Sequence, residues 1–113
     1  MDANQVVTNY HHAWTSGNMD RARDYLVNDL DFQGSMQTFR RADDFIVVLA
    51  QFQQMLRGIN VLQSFFSADG AALLYDCDTM SPAGMSRCTR ITRTQGGIVF
   101  LIWATSSAAS SVV

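Results

Sequence analysis

With 113 residues the chain holds one domain around a single core, and its 48% apolar, 16% charged composition excludes a disordered chain. A net charge of −2 with no basic stripe excludes a surface built for phosphate backbones, so no nucleic-acid partner is expected. There is neither Lys nor Glu, so any carboxylate chemistry must come from aspartate.

The longest apolar run, IVFLIWA at 98–104, has the length of a strand and falls short of a membrane span. The opening MDANQVV has no cationic region leading into an apolar segment, so a cytoplasmic location and no membrane partner are expected. The two cysteines and two histidines lack the spacings of a zinc site, and neither a metal nor a cofactor is expected.

From Asn4 to Ser16, Val6, Val7, Tyr10, Ala13 and Trp14 recur at helical spacing and put Tyr10 and Trp14 on one face. Gly17 ends this helix. Asn18 or Asp20 can cap a second, short one with an apolar side of Met19, Ala22, Tyr25 and Leu26, giving a helical hairpin. LDFQGS at 30–35 reads as a first strand, with MQTFRR extending it as a ribbon. The spacing of Phe45, Val48, Leu49, Phe52 and Leu56 predicts a long helix over 42–56, with Asp43 and Asp44 at its positive end.

Four strands follow at 59–67, 71–80, 85–94 and 97–105, joined by short turns at Asp69-Gly70, Pro82-Ala83-Gly84 and Gly96-Gly97. They predict an antiparallel meander and hence an α+β fold, in one domain over 1–113, whose residues 106–113 fray. The last strand is apolar on both faces. One face is expected on the helices, and the other against a second copy in a homodimer through the outer face of the sheet.

A turn centred on Pro82-Ala83 pairs Asp78 with Arg87, Cys77 with Cys88, Asp76 with Thr89 and Tyr75 with Arg90. Alternation then collects Leu73, Tyr75, Cys77, Cys88 and Arg90 on one face, with Asp76, Asp78 and Arg87 on the other. The aspartates read as cross-strand charge pairs, and only a bulge or a one-residue slip would bring them to acid/base work. Two opposed cysteines lie within disulfide reach but stay reduced in a cytoplasm, as small apolar fillers. Arg90 either stacks on Tyr75 and offers its fork of donors to an acidic ligand, or snorkels to the rim. His12 lies away from the Tyr10/Trp14 face. His11 lies on its flank, as a boundary residue or, if it faces the pocket, the best available general base.

The element order, together with the W-x-x-G-(D/N)-x-D pattern of Trp14, Gly17, Asn18 and Asp20 and the D-x-D-F of 29–32, resembles the nuclear transport factor 2-like (NTF2-like) superfamily, most closely its SnoaL-like branch of polyketide cyclases and ketosteroid isomerase relatives. The resemblance implies a cystatin-like cone: a curved sheet wrapped around the long helix, with a pocket at its open end. It implies pocket residues Tyr10, Trp14, Phe32, Phe52, Met55, Tyr75, Cys88, Arg90 and Trp103, and an oxyanion-stabilising role for Tyr10.

The usual catalytic carboxylates of such enzymes would fall near Gly34, Cys88 and Ala104–Ser106, where this chain has none. An Asp-Arg-Asp hydrolase constellation of Asp76, Asp78 and Arg90 needs the alternative register. The expected function is a pocket for a small hydrophobic molecule with one polar or acidic group. Its alternatives are an isomerase or cyclase acting on a steroid- or polyketide-like carbonyl compound, with Tyr10 and His11 as catalytic residues, and a dimerisation module with a vestigial pocket.

Overall fold

The computed structural model describes residues 2–34, 37–80 and 84–107. Helix α1 (Ala3–Thr15) is opened by a capping box: Gln5 N–H donates to Asp2 Oδ1 at 2.9 Å and Asp2 N–H donates to Gln5 Oε1 at 3.1 Å. Gly17, at φ +87°, takes the chain out of the helix through a conformation that side chains disfavour. Asn18 then accepts from Arg21 N–H at 3.1 Å and starts α2 (Met19–Asp24). The glycine and asparagine of the W-x-x-G-N motif are therefore a stop and a start signal.

Strand β1 (Leu26–Gly34) begins four residues before the expected position, because Tyr25 and Leu26 serve the sheet and not the second helix. Ile98 N–H donates to Tyr25 O at 2.8 Å and draws this segment into pairing. After β2 (Thr38–Phe39) comes the long helix α3 (Ala42–Met55), whose Ala42, Phe45 and Leu49 are buried. The remaining strands are β3 (Leu56–Phe66), β4 (Gly70–Thr79), β5 (Met85–Thr94) and β6 (Ile98–Ser107).

The sheet order is β2-β1-β6-β5-β4-β3. Strands β3 to β6 form the expected antiparallel meander, and β1 lies parallel to β6, so the curved, unclosed sheet is mixed. The core fills the side of the sheet that faces the helices, where Trp14, Tyr10, Tyr75, Phe45 and Leu49 are sealed from solvent.

The β4–β5 register differs from the expected one by two residues: Asp78 faces Met85, Cys77 faces Ser86, Asp76 faces Arg87 and Tyr75 faces Cys88. The cause is the hairpin loop, which closes where Thr79 N–H donates to Gly84 O at 3.0 Å, leaving four residues between them. The expected turn at Pro82-Ala83 lies outside the described residues. A slip of two preserves every face assignment. The aspartates do point outward, with Asp76 accepting from Arg87 Nε at 2.9 Å and Nη2 at 3.2 Å, and Asp78 lying 4.0 Å from Arg57.

The cysteines are diagonal rather than opposed, with free thiols whose sulfurs are 3.9 Å apart. The Cys88 sulfur and burial together push the Cys77 thiol up. Of the tail expected to fray, Ser106 and Ser107 pair with Arg87 and Ser86, and the rest, 108–113, lies outside the described residues. Among the described residues no helix is long and apolar enough to cross a membrane.

Candidate functional site

Alternation along β5 sends Cys88, Arg90 and Thr92 into the core, and Arg90 is 0% exposed. Its cross-strand neighbours are Leu73 on β4 and Trp103 on β6. Four aromatic rings surround its guanidinium carbon: Trp103 at 4.4 Å, Trp14 at 5.1 Å, Tyr10 at 5.4 Å and Tyr75 at 5.6 Å to the ring centroids. The snorkelling alternative is thereby removed.

Ring faces attract a cation, but they do not replace the hydrogen bonds a guanidinium makes in water. Among the described residues Arg90 has no ion-pair partner, and its Nε, Nη1 and Nη2 have no acceptor. The Tyr10 and Tyr75 hydroxyls and Trp14 Nε1 are likewise buried without a partner. Burial, opposed in part by Arg90, raises both phenols above their ordinary value, so both keep their protons at neutral pH and can donate. The cluster is thus a set of donors around one uncompensated positive charge.

An apolar cavity of about 330 Å³ opens beside this cluster, walled by Phe32, Phe39, Phe45, Val48, Phe52 and Trp103. Phe32 stacks on Phe45 with centroids 4.3 Å apart, and Phe52 meets Trp103 edge-on at 5.1 Å. Trp103 is the one side chain shared by the cavity wall and the Arg90 cage.

A groove of about 370 Å³ lies between α1 and β3, lined by Val7, His11, Ile59, Val61, Phe66 and Leu73 among others. The His11 ring packs edge-on against Tyr75 at 5.5 Å and Trp14 at 5.6 Å, and its Nδ1 is buried without a partner. Burial first, then the charges of Arg90 and His12, lower its pKa from 6.5 to about 4. The fold therefore favours neutral His11.

The resulting stability is complete above pH 6.5 and is lost as pH falls from there toward 4, a contribution of about 3 kcal/mol. The wild-type urea midpoint should consequently fall more steeply than that of His11→Gln between about pH 7 and pH 4.5. Parallel pH profiles would contradict this burial of His11.

Eight of the nine expected pocket residues divide into two groups. Phe32, Phe52 and Trp103 line the cavity, while Tyr10, Trp14, Tyr75, Cys88 and Arg90 lie in the sealed cluster behind Trp103. Met55 belongs to neither: it is 41% exposed on the last turn of α3, where its carbonyl accepts from Met80 N–H. The chain leaves the helix at Leu56, one turn beyond Phe52, which carries Met55 past the cavity. Expected catalytic residue His11 touches the cluster from the groove side and does not line the apolar cavity.

An Asp-Arg-Asp constellation does not form, because Arg90 points inward and both aspartates outward. Gly34 has no room for a carboxylate, since even a Cβ there would come within 2.9 Å of the Phe32 ring. Cavity residues Phe39, Phe45 and Val48 were not among the expected site residues. Phe45 and Val48 were visible only as helix stripe, and Phe39 only as a ribbon residue beside two arginines.

No family model and no curated protein matches the sequence. Solved structures do. A protein from Kribbella flavida DSM 17836 superposes with a TM-score of 0.87 at 25% identity, over 95% of this chain and 88% of that one. An NTF2-like protein of unknown function from Cytophaga hutchinsonii has a TM-score of 0.78 at 15% identity, over 94% and 91%. A steroid delta-isomerase from Pseudomonas aeruginosa has a TM-score of 0.80 at 12% identity, over 95% and 81%.

Proposed function

We propose, for a chain that is NTF2-like by fold, that it binds a small hydrophobic molecule carrying one polar or acidic group. The observation that carries this reading is an apolar cavity separated from a buried, unpaired guanidinium by one shared side chain, Trp103. A cavity of about 330 Å³ suits a ligand of one or two rings or a medium-length chain. A cytoplasmic setting belongs to the same reading, with Cys77 and Cys88 kept as thiols.

Val48→Trp should fill the cavity from its half-buried wall position and abolish the fluorescence gain of the neutral apolar probe N-phenylnaphthylamine. An undiminished gain in the folded variant would place the probe elsewhere.

A second reading, an isomerase or cyclase of a steroid- or polyketide-like carbonyl compound, is favoured by the protonated Tyr10 hydroxyl beside Arg90. Neutral His11 can accept a proton from the groove side. Turnover of a steroid enone or β-diketone that falls with Tyr10→Phe would support it, and no turnover across such a panel would remove it.

The proposal includes a homodimer through the outer sheet face. Leu74, Phe100 and Ile102 are half-buried there and Ile91 is 43% exposed, an apolar surface that association would cover. Ile91→Asp should give a folded monomer by sedimentation, and an unchanged dimer would move the interface away from this face.

A further inference from the structure

We propose that Arg90, Tyr10 and Tyr75 form a carboxylate site, which takes the ionised head of an apolar monocarboxylic acid whose tail occupies the cavity on the far side of Trp103. The proposal rests on the small-molecule reading above and deepens it by fixing the head group and its charge.

Three features of the cluster select that head. First, the unsatisfied groups of Arg90, Tyr10, Tyr75 and Trp14 can all donate hydrogen bonds. An ammonium head would add donors to donors, whereas a carboxylate brings only acceptors. Second, the cluster holds one positive charge and, among the described residues, no carboxylate to offset it. A monoanion brings the buried site to neutrality, while a dianion such as a phosphate monoester would leave a net negative charge among aromatic rings. Third, a guanidinium presents a planar fork that matches the two oxygens of a carboxylate.

Trp103 links the head site to the tail site. It is Arg90's partner across β5–β6, its ring centroid lies 4.4 Å from the guanidinium carbon, and it also lines the cavity. A ligand spanning both compartments must therefore displace the indole. The chain's two tryptophans, Trp14 and Trp103, are both cage walls, so intrinsic tryptophan fluorescence reports on this site alone.

The test titrates the wild-type protein at neutral pH with octanoate and phenylbutanoate, with their primary amides, and with octyl phosphate, following tryptophan emission. The carboxylates should bind at least about tenfold more tightly than the matching amides and change the emission on binding. Arg90→Met should erase that preference while amide affinity persists, and Tyr75→Phe should reduce it several-fold. Equal binding of carboxylates and amides would overturn the head-group assignment and leave the apolar pocket standing. Preference for octyl phosphate would overturn the monoanion assignment. Failure of all five probes to bind would overturn the small-molecule reading as well. Should Arg90→Met not fold, the wild-type ratio of carboxylate to amide still decides.

Discussion

Arg90→Met is expected to make the ligand-free protein more stable, by about 1–4 kcal/mol, while removing its affinity for carboxylates. Methionine follows the path of the arginine stem and packs well against aromatic rings. It also removes a charge that is 0% exposed and has no acceptor for its nitrogens. The cation–π contacts to Tyr10, Trp14, Tyr75 and Trp103 offset part of the desolvation, each by about 0.5–2 kcal/mol, but leave the donors unsatisfied. Urea unfolding of both proteins without ligand measures the difference. A lower midpoint for Arg90→Met would mean that the arginine is a structural cation held by its cage, and a stability gain would mark it as kept for binding.

Trp14→Ala is expected to cost about 3–5 kcal/mol, a large share of the stability of a domain this size. Trp14 is fully buried and packs, by ring-centroid distance, on His11 of its own helix at 5.6 Å and on two elements distant in sequence, Trp103 on β6 at 5.7 Å and Phe52 on α3 at 6.1 Å. Its loss removes one wall of the Arg90 cage and opens the guanidinium to water. Trp14→Phe, which keeps a ring there, should recover at least half of the loss in urea midpoint. A cost below about 1 kcal/mol for the alanine variant would show that the core closes over the gap.

Local signals carried the elements and the faces. Helical spacing placed Tyr10 and Trp14 together, and period-two alternation placed Tyr75, Cys88 and Arg90 inside. That assignment survived an error in the β4–β5 register because the slip was of two residues, and strand periodicity is blind to such a shift. The hairpin loop was misjudged because Pro82 suggests a tight turn, whereas the closing bond lies further out, between Thr79 and Gly84.

Non-local facts were not legible. Nothing near Leu26 announces that this segment lies parallel to β6, and nothing near Trp103 announces that it divides one pocket from another. The cage itself draws Tyr10 and Trp14 from α1, Tyr75 from β4 and Trp103 from β6, so it exists only once the sheet has curved around the helices. Met55 illustrates the converse: a pocket position implied by the family resemblance was overruled by where the helix ends.

Whether a carboxylate reaches Arg90 can be read from the side-chain Nε–H resonance of that arginine. All eight cations of the chain are arginines, and Arg90→Met identifies the signal of interest by its disappearance. On titration with phenylbutanoate, the Arg90 Nε–H signal should move downfield and exchange more slowly with water, in step with the tryptophan emission change. An Arg90 signal that stays in place while backbone amides around Phe32 and Phe52 shift would put the ligand in the cavity without its head in the cage, and would contradict the account.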